Sequence, residues 1–308
     1  MEYNKIVLAG GNGYLGGVLA KYYSSRAEEI VILSRQNKAP DGNIRTVLWN
    51  GRTVGEWQEH LIGADLLINL CGKNVNCSYT ESNKAEIIRS RVIPTVLLGE
   101  VIADMENPPT LWINVTSATI YRHAEDRSQD EESGEIGQGF SVDVCRRWEE
   151  VFVATDTPRT RKIALRMGIV LGHSGGAFPR LLNLAKYGLG GKQGDGQQYV
   201  SWIHEQDAAA CTEWLMKHGE VEGAINAVAP DPVKNVQFMD MLRRAYRIPF
   251  GLPSPAWLLE IGAKLIGTET ELILKSRWVM PKRLMDAGYP FLYSKTAHAL
   301  QDLRKIKN

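Results

Sequence analysis

The first 34 residues of the chain read as strand, glycine-rich turn, helix and second strand, an order that few folds accommodate. Residues 5–9 form a short, continuous apolar run, which is typical of a parallel strand buried on both faces. Residues 10–17 are rich in glycine, and a helical apolar pattern starts at Leu15. A second apolar run covers residues 30–33. This pattern predicts a β-α-β unit of a doubly wound α/β sheet.

The glycines of this turn have the spacing that binding of a dinucleotide phosphate requires. Gly10 permits the sharp turn out of the strand, and Gly13 lets the backbone approach a pyrophosphate. Gly16 lets the helix pack closely on the sheet, and the N-terminus of the helix offers unpaired N–H groups to the anion. We therefore expect a dinucleotide site at this turn. A glycine-rich turn that binds no ligand is the alternative.

The end of the second strand discriminates between the two nicotinamide cofactors. An acidic residue there binds the ribose 2′-hydroxyl of NAD, whereas a cation binds the 2′-phosphate of NADP. This chain has Ser34 and Arg35 at that place, and no carboxylate follows before Asp41. The planar guanidinium of Arg35 suits a phosphate, so NADP(H) is favoured over NAD(H). The alternative for Arg35 is a solvated loop charge or a stacking surface for adenine.

Strand and helix patterns continue to alternate along the chain. A helical pattern covers residues 81–103, which Pro94 is expected to bend. Further apolar strand patterns occur at residues 46–49, 65–72, 111–117 and 163–171. The expected fold is therefore α/β, a Rossmann-type doubly wound parallel sheet with a small, mostly helical C-terminal cap.

Two domains are expected, with a cleft between them. Residues 1–175 form the predicted NAD(P)-binding Rossmann domain. Residues 176–308 contain a glycine-rich loop over the cleft, the final sheet elements and the C-terminal substrate cap, which prolines divide into short helices. Residues 256–266 predict a packed helix, and a partner surface is the alternative.

Ligands of such a sheet bind at the carboxyl ends of its strands. The predicted cofactor contacts therefore lie in the glycine turn and at strand ends. They are Gly10, Asn12, Gly13, Tyr14, Leu15, Gly16, Ser34, Arg35, Asn50, Leu70, Cys71, Gly72, Thr116 and Met167.

Composition excludes several classes of function. Lys and Arg number 36 against 35 Asp and Glu, so a nucleic-acid partner is not expected. No apolar stretch approaches the length of a membrane span. The four cysteines are scattered without metal-site spacing, and the first residues lack a signal-peptide pattern. We expect a cytoplasmic protein without a metal site or a membrane partner.

The motifs also resemble those of a known superfamily. The Gly-x-x-Gly-x-x-Gly spacing of residues 10–16 is similar to that of short-chain dehydrogenases/reductases, particularly their extended branch, and residues 117–121 resemble the Ser-Ala-x-x-Tyr segment of sugar-nucleotide epimerases. Four segments resemble a narrower group, the epimerase family proteins with a C-terminal domain of unknown function: residues 145–149, 175–178, 202–207 and 281–284. This resemblance implies an NAD(P)-dependent oxidoreductase or epimerase-like protein and, because dimers are common among such relatives, a homodimer.

The resemblance also implies where the catalytic groups should lie. In active members a Tyr exchanges a proton with the substrate, and a Lys four residues later lowers the pKa of that Tyr. A Ser matches at Ser117, whereas the Tyr would fall near Ser141 and the Lys near Cys145, so the usual pair is missing. The candidate catalytic residues are Ser117, Ser141 and Tyr121. For Tyr121 the alternative is that its phenol packs beside the cofactor.

A second departure concerns the substrate. Relatives that bind nucleotide sugars place an Arg seven residues before the matched Asp207, where this chain has Val200. A small, uncharged substrate other than a nucleotide sugar is therefore expected, in a cleft lined by Asn74, Trp202 and His204.

Each of three other residues has two alternative roles. His123, like His204, could act near neutral pH or be structural. Asp207 could cap the helix that it opens or take part in catalysis. Arg166, in a buried strand, pairs with either a carboxylate or a cofactor phosphate.

Two functions follow. One is an NADP(H)-dependent oxidoreductase or epimerase-like enzyme in which Ser117 polarises a carbonyl. The other is a non-catalytic NAD(P)-binding protein that regulates or binds a protein partner.

Overall fold

The strands of the protein form one large sheet and two small ones. The computed structural model describes residues 1–260 and 271–305, so most of the predicted helix at residues 256–266 lies outside the described residues. The strands are β1 (Tyr3–Ala9), β2 (Ala27–Ser34), β3 (Ile44–Leu48), β4 (Leu66–Asn69), β5 (Leu111–Ser117), β6 (Arg161–Met167), β7 (Ile169–Leu171), β8 (Tyr199–Val200), β9 (Trp202–His204), β10 (Gly223–Ala227) and β11 (Val233–Lys234).

The large sheet has seven parallel strands in the order β3-β2-β1-β4-β5-β6-β10. The order reverses between β1 and β4, which opens a crevice at the carboxyl ends of these two strands. This topology confirms the predicted Rossmann-type doubly wound sheet.

The helices cover both faces of this sheet. The α-helices of the described residues are α1 (Tyr14–Tyr23), α2 (Glu81–Asp104), α3 (Phe140–Ala154), α4 (Phe178–Leu184), α5 (Glu205–Lys217), α6 (Asn235–Tyr246), α7 (Glu271–Leu274), α8 (Lys282–Asp286) and α9 (Thr296–Lys305). Alternate strand residues pack against α1 and α5 on one face and against α2 and α3 on the other. None of these helices combines the length and the apolar character that crossing a bilayer requires.

A separate apolar core holds the C-terminal part of the chain together. It joins α4, α6 and α9 around Trp202 and Phe238, which are both almost fully buried. The short pairs β7–β9 and β8–β11 flank this core. The C-terminal region is thus mostly helical, as predicted.

The strand predicted at residues 163–171 is in fact two strands in two sheets. The chain leaves the large sheet at Gly168, whose N–H donates to the carbonyl of Ala227 at 3.1 Å. A Cβ at Gly168 would lie 2.7 Å from the side chain of Val228, so the close crossing requires glycine. Helix α2, in contrast, continues through Pro94 as one element.

Candidate cofactor and substrate site

The glycine turn between β1 and α1 is shaped by close backbone contacts. Gly10 has φ +73°, and a Cβ there would lie 2.8 Å from the Cys71 sulfur. A Cβ at Gly16 would lie 2.1 Å from the Gly11 carbonyl oxygen, so only glycine lets α1 pack this closely on the turn. Helix α1 begins behind Gly13, which offers no side chain to cap it. The first N–H groups of α1 therefore suit an anion.

The end of β2 carries the groups that would meet the adenosine ribose. Asn12 donates through its side-chain amide to the hydroxyl of Ser34, which also accepts from the backbone N–H of Gln36 at 3.1 Å. Arg35 is exposed beside this pair and borders a hollow of about 500 Å³ against Trp49. A guanidinium in this position suits a phosphate on the ribose.

Asn50 also lies at this hollow, but its side chain already holds a turn. Its amide oxygen accepts from the backbone N–H groups of Arg52 and Thr53 at 2.8 and 3.0 Å. Its amide nitrogen donates to the hydroxyl of Thr53 at 2.8 Å. A cofactor contact by the Asn50 side chain would therefore have to compete with this turn.

The floor of the crevice is the turn after β4, where Leu70, Cys71 and Gly72 were predicted to meet the cofactor. A Cβ at Gly72 would lie 2.9 Å from the guanidinium carbon of Arg91, which donates to the Lys73 carbonyl at 3.1 Å. Burial raises the pKa of the Cys71 thiol to about 12, so this cysteine remains protonated and is no nucleophile.

Two other predicted cofactor residues lie inside the sheet. Thr116 is 3% exposed and donates its hydroxyl to Glu149 at 2.8 Å, and Met167 is 8% exposed. Their side chains belong to the core beneath the crevice.

A polar network stands at the carboxyl end of β5. Ser117 is half-buried, and its hydroxyl donates to that of Thr119 at 3.1 Å. Two cations from residues 271–305, the C-terminal segment, meet the same threonine. Lys275 donates to its carbonyl at 3.0 Å, and Arg277 donates to its hydroxyl at 3.2 Å. No sequence motif predicted that these two cations would meet the threonine that contacts Ser117.

The N-terminus of α3 borders this network. Ser141 donates its hydroxyl to Glu271 at 2.9 Å. Cys145, at the place where the resemblance puts a Lys, is buried, and burial raises the pKa of its thiol to about 12. Ser141 and Cys145 thus offer neither a phenol nor an ammonium group to a substrate.

Comparison with known proteins agrees with this arrangement of turn, crevice and C-terminal segment. The model of the NAD dependent epimerase/dehydratase family matches residues 6–227, and that of a domain of unknown function (DUF1731) matches residues 254–303. The chain belongs to the NAD dependent epimerase/dehydratase family.

Its relatives are similar over their full length. Epimerase family protein YfhF of Bacillus subtilis is 30% identical over 299 residues, 97% of each chain. The crystal structure of human epimerase family protein SDR39U1 with NADPH superposes with a TM-score of 0.84 at 27% identity, covering 97% of this chain and 98% of that one. A UDP-N-acetylglucosamine 4-epimerase from Methanobrevibacter ruminantium shares the fold, with a TM-score of 0.76 at 13% identity over 98% of this chain and 97% of that one. The predicted resemblance to the epimerase family proteins is confirmed.

Tyr121 of this family member is built into the core, contrary to the predicted catalytic role. It is 2% exposed, donates to the Asn226 amide oxygen at 3.0 Å and accepts from Arg166 at 2.8 Å. Burial raises the pKa of Tyr121. Arg166 in turn pairs with Glu149 at 2.7 Å, so it meets a carboxylate, the first of its two predicted alternatives.

Trp202 and His204 were predicted to line the substrate cleft, but both are fully buried in this epimerase-family protein. The indole of Trp202 donates to the hydroxyl of Thr296 at 2.9 Å. His204 is the N-cap of α5, accepts from the backbone N–H of Gln206 at 3.2 Å and stacks on Tyr293. Both side chains attach the C-terminal helices, since Trp202 bonds to Thr296 and the second ring nitrogen of His204 lies 3.5 Å from the Asp302 carboxylate in α9.

The other candidates have structural contacts of their own. Asp207 lies inside α5, which begins two residues earlier, so the predicted N-cap role is wrong. Its buried carboxylate accepts from the backbone N–H groups of Leu292 and Tyr293, each at 2.8 Å. His123 accepts from the backbone N–H of Ser276 at 3.1 Å.

Asn74 is exposed beyond the Gly72 turn and accepts from the backbone N–H of Asn76 at 2.9 Å. A role for it in the substrate cleft stays a prediction.

The structure adds a contact that the sequence analysis missed. Tyr14, the first residue of α1, donates its phenol to Glu205 at the start of α5, and His173 meets the other carboxylate oxygen at 2.6 Å. A Cβ at Gly172 or Gly175 would lie 1.7 or 2.2 Å from Tyr14. The glycines around His173 were the available signal, because glycines outside a phosphate turn indicate a close neighbour.

Proposed function

We propose that the protein binds NADP(H) and acts as an oxidoreductase or epimerase-like enzyme on a small substrate that is not a nucleotide sugar. The observation that best supports the NADP(H) assignment is the position of Arg35, which is exposed at the end of β2 beside the Asn12–Ser34 hydrogen bond. A cation at this place favours a ribose 2′-phosphate over a 2′-hydroxyl. The human relative SDR39U1 was crystallised with NADPH, which supports the same cofactor here.

Ser117 is the group best placed to orient a substrate. It lies half-buried at the end of β5, where ligands of such sheets bind, and its hydroxyl belongs to the network with Thr119. A carbonyl oxygen held there would be polarised by the hydroxyl and by the cations behind it. Val200 at the place of an Arg supports a substrate without a nucleoside diphosphate.

One observation favours the alternative, a non-catalytic NAD(P)-binding protein. Ser141 and Cys145 replace the usual proton-donating pair, and the Tyr121 phenol is engaged in the core. Such a protein would bind the cofactor equally well and signal its occupancy to a partner.

The cofactor is tested by titrating NADPH and NADH into the wild type and into Arg35→Glu. The variant should lose about one to two decades of NADPH affinity, because a charge-assisted phosphate contact becomes a repulsion, and NADH affinity should change little. The matched control is Arg244→Glu in α6, where the Arg244 side chain is 80% exposed. This variant should bind both nucleotides like the wild type. Equal losses for both nucleotides would contradict the assignment of Arg35 to the 2′-phosphate.

Catalysis is tested separately with saturating NADPH and a panel of carbonyl compounds. Turnover that Ser117→Ala abolishes supports the enzyme. Tight NADPH binding with no turnover above that of Ser117→Ala would support the non-catalytic alternative.

A further inference from the structure

Lys275 and Arg277 reach the candidate substrate site from a distant part of the sequence. Lys275 donates to the carbonyl of Thr119 at 3.0 Å, and Arg277 donates to the hydroxyl of Thr119 at 3.2 Å. The same hydroxyl accepts from Ser117 at 3.1 Å. Thr119 thus links both cations to Ser117, the serine that would orient the substrate.

The segment that carries the two cations also contacts one of the residues that replace the missing pair. Glu271, one turn earlier in the same segment, accepts from Ser141 at 2.9 Å. Burial raises the pKa of the Cys145 thiol, and the charges of Lys275 and Arg277 oppose this effect. The C-terminal segment therefore brings positive charge to the place where the resemblance expects the Lys of the superfamily.

The positive charges are held there at an electrostatic cost. Burial lowers the pKa of the Lys275 ammonium, and the charge of Arg277 lowers it further, although Glu271 opposes both effects. Burial likewise lowers the pKa of Arg277, which is 8% exposed. An anionic ligand beside Lys275, which is only half-buried, would offset this cost.

We propose that Lys275, with Arg277 behind it, forms the subsite for an oxoanion of the substrate, either a carboxylate or a phosphate. An oxoanion on Lys275 places a neighbouring carbonyl or hydroxyl group of the substrate within reach of Ser117. The inference rests on the proposed function and changes its substrate class. Because Val200 stands where relatives have an Arg, the sequence predicted an uncharged substrate. Lys275 and Arg277 of the C-terminal segment supply positive charge in place of that Arg.

The test uses full-length protein saturated with NADPH, with calorimetry as the readout. Malonate and inorganic phosphate are the probes for the two oxoanion sources, and malonamide is the neutral probe. Lys275→Gln removes the charge but keeps an N–H donor for the Thr119 carbonyl, and Lys275→Arg keeps the charge. Lys282→Gln is the matched control, because Lys282 pairs with Asp286 at the surface.

We expect the wild type to bind malonate or phosphate but not malonamide. Lys275→Gln should weaken oxoanion binding by about tenfold or more and change NADPH affinity by less than about twofold. Lys275→Arg and Lys282→Gln should retain oxoanion binding. In the wild type, the bound oxoanion should also slow acetylation of Lys275 by acetic anhydride, read by mass spectrometry, and leave Lys282 unaffected; this measurement needs no variant to fold.

Several outcomes would overturn the inference while the proposed function stands. They are NADPH binding without oxoanion binding, equal oxoanion binding by wild type and Lys275→Gln, and no protection of Lys275. A parallel loss of NADPH affinity in Lys275→Gln would assign the cation to the cofactor instead. A wild type that binds no NADPH would remove the proposed function, and the inference with it.

Discussion

At the scale of single residues, Tyr14 connects the end of the glycine turn to the C-terminal half of the chain. Its phenol donates to Glu205, and its ring lies where Gly172 and Gly175 leave space. Burial acts to raise the pKa of Glu205, but the hydrogen bonds from Tyr14 and His173 outweigh it and hold that pKa below its usual value. The carboxylate is therefore charged at neutral pH and anchors the turn.

Gly175→Ala should disturb this anchor. The new Cβ would lie 2.2 Å from the Tyr14 ring, so ring or backbone must shift, at a cost of about 1–3 kcal/mol in the free energy of unfolding. Gly219→Ala is the control, since its Cβ would meet nothing within 4 Å. Urea unfolding of both variants measures the difference, and equal stabilities would contradict the packing role of Gly175.

His204 makes stability depend on pH. Burial lowers its pKa to about 4, whereas a histidine in the unfolded chain has a pKa of about 6.5. Between these values only the unfolded chain binds the proton, so the free energy of unfolding falls as the pH is lowered through this window. His204→Asn keeps an N-cap and removes the titrating group.

Unfolding of wild type and His204→Asn should therefore be compared at neutral and at mildly acidic pH. From about pH 7 to about pH 5, the wild type should lose about 2 kcal/mol more than the variant. Identical losses would mean that His204 titrates normally in the folded protein.

At the scale of elements, the chain around the start of β6 satisfies the ends of three helices. Arg159 donates to the carbonyl of Met105, the C-cap of α2, and to that of Glu106 at 3.1 Å. Arg161 donates to the His218 carbonyl after α5 at 3.2 Å, and Lys162 donates to the Phe152 and Val153 carbonyls of α3, each at 3.1 Å. The last carbonyls of a helix lack intrahelical partners, so these cations stabilise the helix ends.

Lys162→Met should thus lower the free energy of unfolding by about 1–3 kcal/mol, because the carbonyls at the end of α3 lose a charged donor. Lys38→Met, in an exposed loop, should stay within about 0.5 kcal/mol of the wild type. Thermal unfolding followed by circular dichroism measures both. A stable Lys162→Met would show that water caps α3 equally well.

At the scale of the whole molecule, Asp207 joins the C-terminal segment to the sheet domain. It lies in α5, which packs on the sheet, and its fully buried carboxylate accepts from the backbone of Leu292 and Tyr293. Lys275 of the same segment contacts the carbonyl of Thr119 at 3.0 Å, so attachment of this segment and formation of the polar network beside Ser117 are linked.

Asp207→Ala should leave the backbone N–H groups of Leu292 and Tyr293 without their charged acceptor and cost about 2–4 kcal/mol. The C-terminal segment should become more sensitive to protease than the sheet domain. The control is Asp156→Ala, at an exposed loop position. Limited proteolysis with mass spectrometry locates the cleavages, and uniform sensitivity along the chain would contradict a specific anchoring role.

Sequence reasoning succeeded where the determinants are close together in the chain. Gly10, Gly13 and Gly16 shape one turn, and the strands on either side have apolar runs of their own, so the β-α-β unit and its sheet could be predicted. It failed for Tyr121, Trp202 and His204, whose residue types fit a site but whose burial depends on elements far along the chain.

The sequence by itself determined the Rossmann sheet and the glycine turn, because steric requirements within about 30 residues suffice for these. The preference of Arg35 for a ribose phosphate stays a prediction from its charge. Only the tertiary structure decided which polar groups meet at the carboxyl end of β5. Lys275 meets Thr119 across 156 positions of the chain, and that contact exists only once the C-terminal segment has packed on the sheet domain.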